Sequence, residues 1–163
     1  MTDYELRDMP PLVYAAVRSV GPYNTVGPAF RRVAGWAIRE GLMRGEAKVV
    51  GLAWDDPATT PEARLRYDAA VTLPGGPVPT PEDIRIGALP ACTWAVATHR
   101  GGYATLPATF GALAAALKAR ADLVRVPLGG LEIYVNDPER TPTEELLTEV
   151  CLPVVRVGHG TGR

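Results

Sequence analysis

Gly21-Pro22-Tyr23-Asn24-Thr25 recurs as Gly101-Gly102-Tyr103-Ala104-Thr105, 80 residues downstream. The match extends to both sides. Met9-Pro10 falls on Leu89-Pro90, Ala15 on Ala95, Phe30 on Phe110 and Ala34 on Ala114. From 10 to 34, seven of 25 positions are identical, where unrelated segments of this composition share about two. Past a one-residue slip the shift becomes 81. Asp56-Pro57 then matches Asp137-Pro138, Thr60-Pro61 matches Thr141-Pro142, and Leu65 matches Leu146. The chain therefore reads as one unit written twice, over 4–74 and 84–157. Gly75-Gly76-Pro77-Val78-Pro79-Thr80-Pro81 forms the linker, and residues 158–163 are expected to be a flexible tail.

Each half gives the same elements. A short strand (4–9; 84–89) meets a proline turn, and a second strand follows (12–19; 92–99). After the glycine break, Thr25 and Thr105 are N-cap candidates for helices over 26–40 and 106–120, with Pro28 and Pro107 in the first turns. Val26, Phe30, Val33 and Ala37 make one apolar stripe; Leu106, Phe110, Leu113 and Leu117 make the other. Gly41 is a plausible stop. Strands follow at 48–54 and 131–136, then at 64–73 and 144–152. In 64–73, Leu65, Tyr67, Ala69, Val71 and Leu73 alternate with Arg64, Arg66, Asp68, Ala70 and Thr72, which predicts one buried and one mostly wet face. The expected fold class is α+β: a duplicated ββαββ unit with about eight antiparallel strands, two long helices and pseudo-twofold symmetry.

The 163 residues are 47% apolar and 21% charged, with a net charge of −1. That is ordinary globular usage and one domain, 1–157, able to bury a core. A surface that binds duplex DNA needs a basic excess, and none is present. No run of 18 apolar residues offers a membrane span. The polar start Met1-Thr2-Asp3-Tyr4-Glu5 lacks the features of a signal peptide, so a cytoplasmic location is expected. Cys92 and Cys151 sit in apolar runs and read as reduced, buried thiols. With two histidines they make no metal pattern, and no cofactor is expected.

Positions that differ sharply between the halves are candidates for function. Glu132 falls on Leu52 at a shift of 80, and a carboxylate inside an apolar strand needs a partner or a raised pKa. By alternation Glu132 shares a face with Tyr134. Trp54 then aligns with Tyr134. Tyr67 has Thr148 as its counterpart, and Trp94 has Tyr14. Tyr23 and Tyr103 recur in both halves, which favours a turn-packing role. His99 reads as a structural histidine, and Trp36 as core. Asp55-Asp56-Pro57 and Asn136-Asp137-Pro138 read as capped loops rather than metal loops.

Arg18-Ser19-Val20-Gly21-Pro22-Tyr23 resembles the H-x-G-P-Y turn of the GyrI-like small-molecule-binding domains. These include effector-binding domains of AraC-type and MerR-type regulators. The resemblance continues through Val50-Gly51-Leu52-Ala53-Trp54-Asp55-Asp56-Pro57 and Leu65-Arg66-Tyr67-Asp68, and ends with Leu131-Glu132-Ile133-Tyr134-Val135-Asn136-Asp137-Pro138. Ser19 and Gly102 depart from the turn pattern. The resemblance implies a duplicated strand-helix fold with a central pocket. It implies that Glu132 contacts a lipophilic cation; from the comparison of the halves, Tyr134, Trp54, Tyr67, Trp94 and Tyr103 are the further ligand-binding candidates. Two repeats leave no segment for a helix-turn-helix, so a stand-alone module without direct DNA contact is expected. Three readings stay open. The leading one is a binder of a small organic molecule. The second is a hydrolase of reactive cyclopropane-containing natural products, with Glu132 as general base. The third is a protein-binding inhibitor, for example of a topoisomerase.

Overall fold

The repeated turn owes its glycine to backbone geometry. Gly21 and Gly101 adopt φ values of 130° and 115°, which a side chain rarely tolerates. Each donates its amide across the fold, Gly21 to the Leu65 carbonyl and Gly101 to that of Leu146, both at 2.8 Å. The computed structural model describes residues 2–158; the expected tail beyond Gly158 lies outside them.

Nine strands and two helices follow in the order β1 (Glu5–Met9), β2 (Leu12–Val20), α1 (Gly27–Arg39), β3 (Val49–Ala53), β4 (Arg66–Thr72), β5 (Arg85–Leu89), β6 (Cys92–Arg100), α2 (Leu106–Lys118), β7 (Leu123–Arg125), β8 (Gly130–Tyr134) and β9 (Leu147–Arg156). All strand pairs are antiparallel, in the order β1-β6-β9-β8-β3-β4-β2-β5, with β7 beside the end of β9. This α+β sheet order is unchanged on reversal if β1, β2, β3 and β4 are equated with β5, β6, β8 and β9. The first strands cross over: β1 pairs β6, and β5 pairs β2. Neither sequence half completes its own part of the sheet.

Several boundaries differ from the sequence reading for local reasons. Thr25 and Thr105 cap no helix N–H; their hydroxyls donate back to the carbonyls of Pro22 and Gly102, closing short 3₁₀ turns. Similar turns at Glu62–Arg64 and Thr143–Glu145, each led by a proline, delay β4 and β9. The unpredicted β7 is too short to show a period. It exists because β9 runs on past β8, and residues 123–125 pair with its last part. Gly41 follows α1 with φ 68°, as a helix stop requires. Asp56 and Asp137 each accept an amide two residues on, at 2.8 Å.

One sheet face carries the helices. Val33, Trp36 and Ala37 of α1 pack on Tyr67, Ala69 and Val71. Leu113 and Leu117 of α2 pack on Ala95, Ala97, Val150 and Leu152. The other face was expected to be mostly wet along β4, but Asp68, Ala70 and Thr72 are all buried. Ala70 belongs to a third apolar layer that runs from Tyr14 through Val50, Leu52, Leu131 and Ile133 to Trp94. Alternation distinguishes two faces; it does not say that both will be covered. Cys151 is buried, Cys92 is half-buried, and neither forms a disulfide.

Candidate functional site

At the centre of the sheet β3 meets β8, and Gly51 lies directly across from Glu132. The expected equivalence of Glu132 with Leu52 is therefore off by one. A shift of 81 carries the pair Val50–Ala70 onto Leu131–Cys151, whereas 80 applies to β2 and β6, where Tyr14–Thr72 maps onto Trp94–Pro153. The extra residue lies after α2, where β7 is inserted. Glu132 thus corresponds to Gly51, Tyr134 to Ala53, and Trp54 to Val135.

Glycine at 51 makes the site. Its missing side chain leaves room for Tyr67, whose phenol oxygen would lie 1.7 Å from a Cβ there. Tyr67 reaches across this gap and donates to Glu132 Oε1 at 2.7 Å. The Tyr134 phenol oxygen is 3.0 Å from that of Tyr67. Either phenol can donate in this second contact. Glu132 is only 6% exposed. Burial pushes its carboxyl upward, against the opposing effect of the two phenols. Burial and the neighbouring carboxylate hold both phenols well above their usual range.

Aromatic rings surround the carboxylate. Phe30 meets Tyr67 and Tyr134 edge-on, at centroid distances of 5.8 and 5.3 Å. Tyr103 meets Tyr134 at 5.3 Å, and Tyr23 meets Tyr67 at 5.6 Å. Tyr23 is also tied down by its hydroxyl, which donates to the Asp55 carbonyl at 2.7 Å. Phe110 lies against Gly130, where a Cβ would come within 2.9 Å of its ring. Among the described residues no cation pairs with Glu132. The cluster therefore sets a carboxyl group among ring faces and edges, and among the described residues its hydrogen-bond partners are phenols.

Of the residues singled out in the sequence, Tyr67, Tyr103 and Tyr134 join Glu132. Trp54 and Trp94 do not: both pack in the apolar layer on the opposite face. Trp54 Nε1 donates to Asp68 at 2.7 Å. A one-residue slip moves a strand residue to the other face, and at the shift of 81 Trp54 aligns with Val135 and not with Tyr134. The sequence marks Phe30 only as helix core; nothing in its stripe distinguishes a residue above the sheet centre from its neighbours. Thr148, the counterpart of Tyr67, pairs with Tyr134 and is fully buried with an unpartnered hydroxyl. His99 has both ring nitrogens engaged, with Thr109 at 2.7 Å and the Gly102 carbonyl at 2.9 Å. It anchors the turn to α2.

The family model of the GyrI-like small molecule binding domain matches residues 2–155. A DNA gyrase inhibitor 2 from Dickeya dadantii (strain 3937) is 34% identical over 68 residues, 41% of this chain and 42% of that protein. The chain thus matches less than half the length of that relative. The C-terminal domain of EcmrR superposes with a TM-score of 0.76 at 17% identity, covering 96% of this chain and 99% of that one. SAV2435 bound to tetraphenylphosphonium superposes with a TM-score of 0.67 at 15% identity, covering 98% of each chain. At these identities the two structures share the fold with this chain.

Proposed function

This chain belongs to the GyrI-like small molecule binding domain family, and on that premise we propose that it binds a lipophilic organic cation at Glu132, between the rings of Tyr67, Tyr134, Tyr103 and Phe30. One observation carries the reading: among the described residues a buried carboxylate lacks a cationic partner and is ringed by aromatic side chains. A buried charge without a counter-ion is costly, and ring faces attract cations. A ligand that supplies positive charge and apolar surface satisfies both. Its entry requires the Tyr67 and Tyr134 phenols to part, since they now occupy the space over the carboxylate. The tetraphenylphosphonium carried by SAV2435 is a suitable probe.

Calorimetry with tetraphenylphosphonium and with neutral triphenylphosphine oxide tests this. The cation is expected to bind more tightly, and Glu132→Gln to weaken it by about 1–3 kcal/mol while leaving the neutral compound unaffected. Equal binding of both compounds, or no effect of Glu132→Gln, would sink the reading.

A second reading follows from the upward shift of Glu132, which suits a general base. Here Glu132 takes a proton from water, the resulting hydroxide attacks an electrophilic cyclopropane carbon, and the opened ring takes up a proton. Glu132→Gln would then abolish turnover of such a substrate and leave its binding largely intact. Retained turnover in the variant would rule it out.

A further inference from the structure

A second polar site lies on the face away from Glu132, and comparing the halves of the sheet brings it out. On β2 and β5, Tyr14 pairs with Gly87, and Ala16 with Arg85. The corresponding pairs on β6 and β1 are Trp94 with Arg7, and Val96 with Glu5. Likewise Arg18 pairs with Asp68 where Thr98 pairs with Glu149. Glu149 is thus the counterpart of Asp68, Arg7 of Gly87, and Glu5 of Arg85.

In the second setting the site is filled from within. Arg7 donates to Glu149 at 2.8 and 3.1 Å and also bonds Glu5. In the first setting the plug is absent, because its position is Gly87. A cavity of about 150 Å³ lies beside it, lined by Tyr14, Arg18, Asp68, Arg85 and Gly87 among others. The Tyr14 ring lies over Gly87, where a Cβ would come within 2.4 Å of it.

The groups around this cavity are unbalanced. Asp68 already accepts from Arg18 Nε at 2.5 Å, Arg18 Nη2 at 2.9 Å and Trp54 Nε1 at 2.7 Å. Its charge is spent on Arg18. Arg85 carries a full positive charge and forms no ion pair among the described residues. The Tyr14 hydroxyl and Arg18 Nη1 make no hydrogen bond to the described residues. The surplus is therefore in donors and in positive charge, and an acceptor that carries negative charge is missing. Where the other setting has Glu5 and an internal guanidinium, this one has Arg85, the Tyr14 ring over Gly87, and a cavity beside them.

We propose that the cavity between β2 and β5 binds a small oxyanion, a carboxylate or phosphate group, held by Arg85, the Tyr14 hydroxyl and the free edge of Arg18. Planar guanidinium donors suit both groups. The volume exceeds that of a few waters, each of which takes about 30 Å³ in the liquid. The site is independent of the aromatic cluster, since the sheet separates the two.

The test is a nitrogen–proton NMR titration of the whole chain with phosphate and with acetate, at ionic strength held constant by sodium chloride. Saturable shifts are expected at the amides of Ala16, Ile86 and Gly87. Arg85→Glu, which restores the residue found at the matching place on β1, should weaken binding at least about tenfold. Its melting temperature without anion should match that of the parent, because Arg85 is exposed. Tyr14→Phe should weaken binding by a smaller factor, and Glu132→Gln should bind the anion as the parent does. Phosphate binding alone, or acetate binding alone, supports the site and tells which oxyanion it prefers. Shifts that do not saturate and that spread over other exposed arginines overturn it. So does an Arg85→Glu variant that titrates like the parent, or an equal response to chloride.

Discussion

Tyr67 and Gly51 interlock: the phenol oxygen occupies the space that a methyl group at residue 51 would need, 1.7 Å from its ideal position. Both belong to the same half of the chain, and Glu132 comes from the other. The glycine therefore links the halves, because without it Tyr67 could not reach the carboxylate. Its counterpart across the sheet centre is Glu132 itself, so the asymmetry is reciprocal, with space on one strand and charge on the next.

Gly51→Ala should displace the Tyr67 ring and destabilise the protein by about 1–3 kcal/mol, the usual cost of overpacking. Adding Tyr67→Ala should restore room, so the double variant should lose less than the sum of the two single losses. Urea denaturation of the four proteins measures this. Strict additivity would show that the two residues do not interact.

The raised pKa of Glu132 has a defined sign in stability. Its folded value lies above its unfolded value, so its contribution is fully present below the unfolded pKa and is lost as pH rises through the folded one. Glu132→Gln stays neutral and keeps an acceptor for Tyr67. At neutral pH it should be more stable than the parent, and the gap should close on acidification toward the ordinary carboxyl range. Thermal melts of both proteins from acid to neutral pH decide the point; a gap that is constant or that widens in acid contradicts it.

Cation affinity should follow the same titration in reverse. Tetraphenylphosphonium binding should weaken as pH falls through the raised Glu132 pKa, because a protonated carboxyl offers no charge. The pH dependence should vanish in Glu132→Gln. A flat profile in the parent would remove the carboxylate from ligand recognition.

Trp54→Phe and Trp94→Phe should leave that affinity within about twofold, since both rings lie on the far face. Trp54→Phe should still cost stability, by about 1–3 kcal/mol, because buried Asp68 loses a donor. Loss of binding in either variant, with the fold intact, would place the ligand on the other face.

Duplex DNA should not bind at physiological salt with sub-micromolar affinity. A net charge of −1 provides few phosphate contacts. Fluorescence anisotropy with a labelled duplex is the check.

Much of this protein was legible in its sequence. The spacing of Gly21 and Gly101 gave the repeated turn, since each takes a backbone angle suited to glycine. The helix stripes and most strands could be placed because side-chain period is a local property. Glu132 stood out because a carboxylate among apolar strand residues is costly at any register.

Only the tertiary structure decided which residues meet. The extra residue after α2 set Glu132 opposite Gly51 rather than in the place of Leu52, and moved Trp54 to the far face. The crossing of β1 and β5 put Arg7 beside Glu149 and left Gly87 beside an open cavity. Neither was readable from local pattern. Period tells which residues of one strand share a face, but register and strand order fix their neighbours, and both follow from the packing of the whole sheet.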